Sequence, residues 1–267
     1  MPFAQLDGLG GERIYYARHG VRGVLDGAPA LVCVHGAGGS HLSWPAEIRH
    51  LPGPASSSGE TAAVYALDLP GHGRSPGSGY RTIGEYVTVL VAFLDALDLV
   101  KAVIVGHSMG GAVALEMALS HPDRVQGLVL IGTGARLRVA PAILQVIGSD
   151  FEGAVRLLGD FAYGPDAPEA LKRLGQQLMA DNSPEVLVGD FLACDAFNIM
   201  SRLGEIAVPT LVVVGTADRL TPVKYAGFLA QNIPDAQLVQ IENAGHMVML
   251  ERPQEVGEAV AGFVASL

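Results

Sequence analysis

The stretch that most constrains the fold runs from Val103 to Ala112 and reads Val-Ile-Val-Gly-His-Ser-Met-Gly-Gly-Ala. Three β-branched residues open it, as expected for a strand that is covered on both faces. The following segment, Ala112 to Leu119, is rich in strong helix formers and carries one charge. The sequence therefore predicts a buried strand and a helix joined by a very tight turn around Ser108.

Ser108 has one glycine two residues before it and another two residues after it, in the pattern G-x-S-x-G. Such a turn holds the serine in a strained backbone conformation, and side chains at Gly106 and Gly110 would collide with it. The serine oxygen should stand clear of the sheet, at a helix N-terminus that favours negative charge. A glycine-rich turn can also contain a serine by chance, but the flanking strand and helix favour a nucleophile.

Composition narrows the class of protein. The chain has 267 residues, which fits one large α/β domain or such a domain with an insertion. The net charge of −10, with no basic cluster, argues against nucleic acid and anionic membrane surfaces as partners. The sequence contains neither eighteen uninterrupted apolar residues nor a basic N-terminus followed by an apolar run. We therefore expect a cytoplasmic protein without a membrane span.

The two cysteines indicate neither a metal site nor a disulfide. Cys33 lies in an apolar, strand-like run, and Cys194 is far from it in the chain. Two separated cysteines do not make a zinc site, and a structural disulfide is not expected. We expect no metal site and no cofactor.

Strand and helix patterns alternate along most of the chain, which predicts an α/β fold with a mainly parallel sheet. Near the N-terminus, residues 13–18 are predicted to form a strand of an antiparallel edge. Residues 26–29 are predicted to form a turn, and residues 51–60 a loop. Parallel strands are expected at Ala30–Val34, Ala62–Leu67, Val103–Val105, Val125–Ile131, Thr210–Val214 and Gln237–Ile241.

The alternation stops between Ala135 and Glu205, where only helical patterns occur. We predict a core formed by residues 1–134 and 206–267, with a helical cap at residues 135–205. The apolar faces of these helices could belong to a plain helical subdomain. We expect that most of these apolar side chains pack in a core and that a few line a pocket.

A serine hydroxyl needs a base, and the base needs a carboxylate that orients it. Asp218 and His246 each follow a predicted strand late in the chain. The carboxyl ends of parallel strands share one edge of the sheet, so both should meet Ser108 there. The sequence therefore predicts a Ser108–Asp218–His246 triad. Asp195 and Asp68 are alternative orienting residues, and Asp218 could instead cap a helix before Pro222.

When a serine attacks a carbonyl group, the carbonyl oxygen becomes negatively charged, and two backbone N–H groups are needed to stabilise this oxyanion. One should belong to Met109, the residue after the nucleophile. The other should come from the glycine-rich loop that begins at His35, where we favour the Ala37 amide, with the Gly38 amide second. An ordinary turn is the alternative interpretation of this loop.

Together these motifs resemble the α/β-hydrolase fold superfamily, and in particular its serine carboxylesterase-like branch with a helical cap. The resemblance spans nearly the whole chain, and it implies a mainly parallel, eight-stranded sheet flanked by helices. It also implies the triad and the oxyanion-hole amides named above. The matching segments are His35-Gly36 with Trp44 downstream, Asp68 to Ser75, Gly106 to Gly111, Gly215 to Asp218, and Gly245-His246 followed by Glu251-Arg252-Pro253.

Within that superfamily, the identity of the nucleophile limits which reactions are possible. Haloalkane dehalogenases and epoxide hydrolases use an aspartate where this chain has Ser108, and proline iminopeptidases usually have a tryptophan where it has Met109. We expect a carboxylic-ester hydrolase that acts on a small molecule. Lactonases, carbon–carbon bond hydrolases, perhydrolases and a non-catalytic ligand receptor remain as alternatives. The expected pocket walls are Gly38, Trp44, Phe197, Met200 and Val248.

Overall fold

The computed structural model describes residues 3–7, 9, 12–20, 29–51 and 62–267. Within these ranges eight strands form one sheet, in the spatial order β1-β2-β4-β3-β5-β6-β7-β8. β1 and β2 are antiparallel to their neighbours, and the other pairs are parallel. The predicted fold class is confirmed. The strands are β1 Phe3–Gln5, β2 Arg13–His19, β3 Leu31–Val34, β4 Val64–Leu67, β5 Ala102–His107, β6 Val125–Ile131, β7 Thr210–Gly215 and β8 Ala236–Ile241.

The central strands are apolar on both faces because helices cover both sides of the sheet. Along β3, Val32 and Val34 pack into one core with α2 and α3, whereas Leu31 and Cys33 pack into the opposite core with α1 and α10. The helices are α1 Ala46–Arg49, α2 Ile83–Ala96, α3 Met109–Ser120, α4 Pro141–Ser149, α5 Phe151–Ala162, α6 Glu169–Ala180, α7 Pro184–Ala196, α8 Val223–Asn232, α9 Val248–Glu251 and α10 Pro253–Ala265.

Four of these helices, α4 to α7, lie in the connection between β6 and β7. We call residues 135–205 the helical insert. Every residue of this insert is described, and none of them lies in a strand of the sheet. Its amphipathic helices α5 and α6 pack against each other, while α4 packs against α5 and α7.

Some local expectations differ from the structure. Residues 13–18 lie in a strand of the antiparallel edge, as predicted, but a further strand that was not predicted, β1, lies outside it. After β3, a helical turn at His41–Ser43 and the short α1 remain separate, because Pro45 has no N–H to continue a helix between them. The predicted turn at residues 26–29 and the loop at 51–60 fall largely outside the described residues. None of the described helices is long and apolar enough to cross a membrane.

Candidate active site

Ser108 lies at the sharp turn between β5 and α3, with φ 52° and ψ −116°. A non-glycine residue in such a region costs about 1–3 kcal/mol and is found where the surroundings enforce it. The surroundings are close-packed backbone. A Cβ at Gly106 would overlap the carbonyl of Gly110, and a Cβ at Gly110 would overlap the carbonyl of Val34. The two glycines of the G-x-S-x-G pattern are therefore required sterically.

The backbone of Ser108 is fixed on both sides. Its N–H donates to the carbonyl oxygen of Ile131 at 2.9 Å. Its carbonyl oxygen accepts from the hydroxyl of Thr133 at 2.8 Å. Both partners belong to β6 or to the turn that follows it, so the neighbouring strand sets the position of the serine.

His246 and Asp218 meet beyond the ends of β8 and β7. The Nδ1 of His246 lies 2.9 Å from Oδ2 of Asp218, and both side chains are buried. Oδ1 of Asp218 accepts the amides of Leu220 and Thr221, each at 2.8 Å. Burial alone would raise the pKa of Asp218, but His246 and the bonds from Thr221 hold it below its usual range. The ionised carboxylate therefore favours a hydrogen on Nδ1, which leaves Nε2 free to accept a proton.

Thr221 adds a contact that the sequence reasoning missed. Its hydroxyl donates to Oδ2 of Asp218 at 2.8 Å and lies 3.1 Å from Nδ1 of His246. The spacing Asp-x-x-Thr before Pro222 is the local signal that could have indicated it. The alternative in which Asp218 caps a helix is wrong: the N-cap residue of α8 is Pro222, and Oδ1 of Asp218 accepts the amides of Leu220 and Thr221 in the turn before the helix.

The two alternative orienting carboxylates are engaged elsewhere. Asp68 accepts from the main-chain and ring nitrogens of His41, at 2.6 and 2.8 Å, and from the amide of Arg74. Asp195 lies on α7, accepts the amide of Val139 and pairs with Arg138. Neither contacts His246, whose carboxylate partner is Asp218.

Two backbone amides are available beside the serine. Met109 is the first residue of α3, so its N–H has no partner within the helix. The N–H groups of Met109 and Ala37 have no hydrogen-bond acceptor in the described part of the chain. The Gly38 amide, the second candidate from the sequence, donates to Oδ2 of Asp190 at 2.8 Å. Of the three candidate amides, those of Ala37 and Met109 are therefore the two without an acceptor among the described residues.

Ser108, His246, Ala37 and Gly38 line one cavity of about 170 Å³. The remaining walls come mainly from apolar side chains of the helical insert. Such a lining suits an uncharged organic group that is oriented by a few polar atoms. The apolar residues of the insert that line the cavity include Leu137, Val139, Ile143, Leu158, Ala162, Leu178, Met179 and Phe191.

Of the five predicted pocket walls, Gly38 alone lines this cavity. Trp44, Phe197 and Val248 are at most 5% exposed and pack within the two cores of the sheet. Met200 lines a separate surface depression and is 42% exposed. The sequence-based assignment of these four side chains is corrected accordingly. Apolar character alone does not distinguish a core side chain from a pocket side chain, because both face away from water.

A buried carboxylate, Glu251, ties the insert to the histidine turn. Its two oxygens accept the amides of Gly164 and Gly245, at 2.9 and 3.0 Å. Gly164 belongs to the insert, and Gly245 precedes His246. Burial raises the pKa of Glu251 despite these bonds. The insert is therefore connected directly to the turn that carries the histidine.

Among the described residues, no group of three or more His, Cys, Asp or Glu side chains is placed to hold a metal ion.

Comparison with known proteins agrees with this architecture. A model of the alpha/beta hydrolase family matches residues 31–259. A pimeloyl-[acyl-carrier protein] methyl ester esterase from Neisseria meningitidis serogroup B (strain H44/76) is 29% identical over 253 residues, covering 90% of this chain and 94% of that protein. A dihydrolipoyllysine-residue acetyltransferase component of an acetoin cleaving system from Pseudomonas putida is 30% identical over 261 residues, which cover 90% of this chain but 64% of that longer protein.

A solved structure described as Est816, an N-acyl homoserine lactone degrading enzyme, has a TM-score of 0.83 and 32% sequence identity, covering 98% of this chain and 100% of that chain. The family model covers most of this sequence, and the solved structure shares its fold over nearly the full length. This chain therefore belongs to the alpha/beta hydrolase family.

Proposed function

We propose that this protein is a serine hydrolase that cleaves carboxylic esters through an acyl-enzyme on Ser108. One observation carries the proposal. The cavity is lined by both Ser108 and His246, and the ring of His246 is hydrogen-bonded to the buried carboxylate of Asp218. This combination of a strained serine, an imidazole and a buried carboxylate is what activates a hydroxyl nucleophile.

In the first half of the reaction, Nε2 of His246 takes the proton of the Ser108 hydroxyl as its oxygen attacks the ester carbonyl. Asp218 holds the imidazole in orientation and stabilises its charged form. The carbonyl oxygen becomes an oxyanion that accepts the N–H groups of Ala37 and Met109. Removing one such donor typically lowers turnover by about 10² to 10³-fold.

The tetrahedral intermediate then collapses. His246 gives its proton to the departing alkoxide, which leaves as an alcohol, and the acyl group stays on Ser108. A water molecule, deprotonated by His246, attacks the acyl-enzyme and releases the carboxylic acid. Ser108 regains its proton, so the cycle closes without a cofactor.

The helical insert acts in this proposal as a cap that selects the substrate. Its apolar lining favours an uncharged acyl or alcohol group. The cavity of about 170 Å³ is similar in size to the apolar cavity of roughly 150 Å³ that binds benzene in another protein. We expect a group of about that size, such as a short alkyl chain or one ring.

Lactones are cyclic esters, so the same steps open them. A lactone substrate is the second candidate because the structurally similar enzyme described above is named for degrading N-acyl homoserine lactones. A methyl ester is the bond named in the Neisseria meningitidis relative. Both compounds are attacked at a carboxylic carbonyl.

The test is a panel of p-nitrophenyl esters from acetate to decanoate, run beside a panel of lactones of increasing ring substituent length. Ser108→Ala should abolish hydrolysis and retain the folded circular dichroism spectrum. Ser120→Ala, at the exposed end of the same helix, is the matched control and should keep wild-type turnover. An organophosphate should add its mass to a peptide that contains Ser108.

Three results would contradict the proposal. They are near-normal turnover by Ser108→Ala, organophosphate labelling at another residue, and binding of esters by the wild-type protein without any turnover. The last result would indicate a ligand receptor.

A further inference from the structure

We propose that Asp190 and Asn182 of the helical insert are positioning residues that hold the Ala37 N–H in place to bind the oxyanion. This inference rests on the proposed ester hydrolysis. Both polar backbone groups of Gly38, the residue after Ala37, are bound by these two side chains. The Gly38 N–H donates to Oδ2 of Asp190 at 2.8 Å, and its carbonyl oxygen accepts from Nδ2 of Asn182 at 2.9 Å.

The insert also presses on Gly38 sterically. Gly38 has φ +63°, and a Cβ there would lie 2.8 Å from Cδ1 of Leu187 and 3.1 Å from Cγ of Met179. Both of those side chains belong to the insert. Glycine is therefore needed both for the backbone conformation and for the close approach of the insert. Two hydrogen bonds therefore hold the loop from one side, and two apolar side chains leave no room there for a larger residue.

Asp190 is itself held rigidly. It is completely buried, and its Oδ2 lies 2.8 Å from Nε2 of His72. Its Oδ1 accepts the hydroxyl of Tyr86 at 2.6 Å, while that hydroxyl accepts the amide of Tyr80. The carboxylate thus has partners on three sides, from the loop at Gly38, the turn at His72 and helix α2.

His72 and Asp190 form an ion pair in which the imidazole ring is the cation. Its Nδ1 lies 3.0 Å from the carbonyl oxygen of Pro70, which can only accept, so Nδ1 carries a hydrogen. Its Nε2 faces the carboxylate of Asp190, which already accepts two other donors. A doubly protonated ring satisfies both contacts. The result is a buried imidazolium–carboxylate pair that joins the insert to the core.

Stability alone is a poor explanation for this pair. Taking two charges out of water has a high free-energy cost, and apolar replacements of such a pair are often neutral or stabilising. What the pair supplies is a fixed acceptor at a defined place. The Gly38 N–H belongs to the peptide unit that follows Ala37, so its bond to Asp190 fixes the chain on that side of Ala37. On the other side, the Gly36 carbonyl shares a peptide unit with the Ala37 N–H and accepts from the Gly39 N–H at 3.0 Å. With bonds on both sides, Ala37 loses its freedom to rotate. The Ala37 N–H is thereby kept at the distance and angle on which a hydrogen bond to the oxyanion depends.

Asp190→Asn is the first test, because an amide keeps the size of the side chain but replaces one acceptor oxygen with a donor NH2 group. It keeps one acceptor oxygen for the three donors of Gly38, His72 and Tyr86, and it carries no charge to balance the imidazolium of His72. We expect kcat on a p-nitrophenyl ester to fall by about 10- to 100-fold, up to the lower effect of losing an oxyanion donor, with KM changed less than about twofold because ground-state binding is untouched. Turnover is counted per active site, by titration with an organophosphate.

A transition-state analogue separates positioning from a general loss of structure. A trifluoromethyl ketone forms a tetrahedral adduct with Ser108 whose oxygen occupies the oxyanion site. Its inhibition constant should rise in Asp190→Asn by the same factor as kcat/KM falls. Glu185→Gln removes a negative charge from an exposed position of the same helix, and it should leave kcat, KM and the inhibition constant unchanged.

Asn182→Ala removes the partner of the Gly38 carbonyl without altering the ion pair. It should lower kcat by about 10-fold with the same parallel change in the inhibition constant, and it decides the matter if Asp190→Asn does not fold. The inference is overturned if the folded variants keep wild-type kcat, or if KM rises while analogue binding stays constant. Failure of the proposed function itself looks different, because wild-type protein would then lack hydrolysis that depends on Ser108.

Discussion

The Nε2 of His107 donates to the backbone carbonyl oxygen of His246 across 3.0 Å, and the two rings lie 4.8 Å apart. The side chain beside the proposed nucleophile thus anchors the turn that carries the proposed base, 139 residues later in the chain. A carbonyl oxygen accepts only, so Nε2 must carry the hydrogen. His107 is a structural support of the site that the sequence pattern did not identify.

This histidine should make stability depend on pH. Burial, with the neighbouring His246 ring, lowers the pKa of His107 to about 3, compared with roughly 6.5 when unfolded. Between these values the unfolded chain binds one more proton than the folded chain, so stability falls as pH decreases. The expected slope is about 1.4 kcal/mol per pH unit from this residue alone.

The slope can be measured by urea unfolding between pH 4 and 6.5. In His107→Gln, the amide can still donate to the His246 carbonyl but does not titrate, so the slope should decrease by about 1.4 kcal/mol per pH unit. His121→Gln, at the end of α3, is the matched control, because the ring of His121 contacts Ser120 rather than the turn that carries His246. An unaltered slope in His107→Gln would contradict the assignment of a neutral, buried ring.

Thr221→Val tests the hydroxyl shared by Asp218 and His246. Valine has nearly the same shape but cannot bond Oδ2 of Asp218, so the carboxylate loses a donor. One hydrogen bond contributes about 1 kcal/mol, and we expect kcat for ester hydrolysis to fall by about 5- to 10-fold. Thr221→Ser restores the hydroxyl and should restore most of the activity. Equal turnover in the valine and serine variants would exclude a role for this bond.

Gly110→Ala tests the steric basis of the turn. The added methyl group would overlap the carbonyl of Val34, which is backbone of the neighbouring strand and cannot move aside. We expect a loss of about 4 kcal/mol or more in the free energy of unfolding, together with loss of hydrolysis. Gly84→Ala is the matched control, because nothing lies within 4 Å of its added Cβ in helix α2. It should raise stability by about 0.5–1 kcal/mol; similar losses in both variants would refute the steric explanation.

Ile143→Trp tests which side chains form the pocket. Ile143 lines the cavity, so a larger ring there should shift the ester preference toward shorter acyl chains, by about 10-fold in the ratio of kcat/KM for hexanoate and acetate. Trp44 packs in the core under β3 and β4, and its indole nitrogen has no partner among the described residues. Trp44→Phe should therefore lower the Tm and leave the chain-length preference unchanged. A changed chain-length preference in Trp44→Phe would contradict the assignment of Trp44 to the core and indicate that it lines the pocket.

The alternation of strands and helices could be read from the sequence because it depends on local periodicity. Strand β6, for example, has the predicted bounds, Val125–Ile131. The short strand β1 was missed because three residues carry too little pattern. The pocket predictions failed for four side chains because they used apolar character, which core, surface and pocket residues can share. Three of these side chains are buried in the core, and Met200 is exposed; the four are Trp44, Phe197, Met200 and Val248.

By itself the sequence determined the strand–turn–helix around Ser108 and the order of the Ser, Asp and His candidates, because glycine sterics and strand ends are properties of short segments. Only the tertiary structure decided which amides stay free and which carboxylates are occupied. The bond from the Gly38 amide to Asp190 joins residues 152 positions apart, and no local pattern distinguishes Asp190 from the other acidic residues of the chain. Long-range hydrogen bonds of this kind depend on packing between the insert and the core, which is fixed only when the whole chain folds.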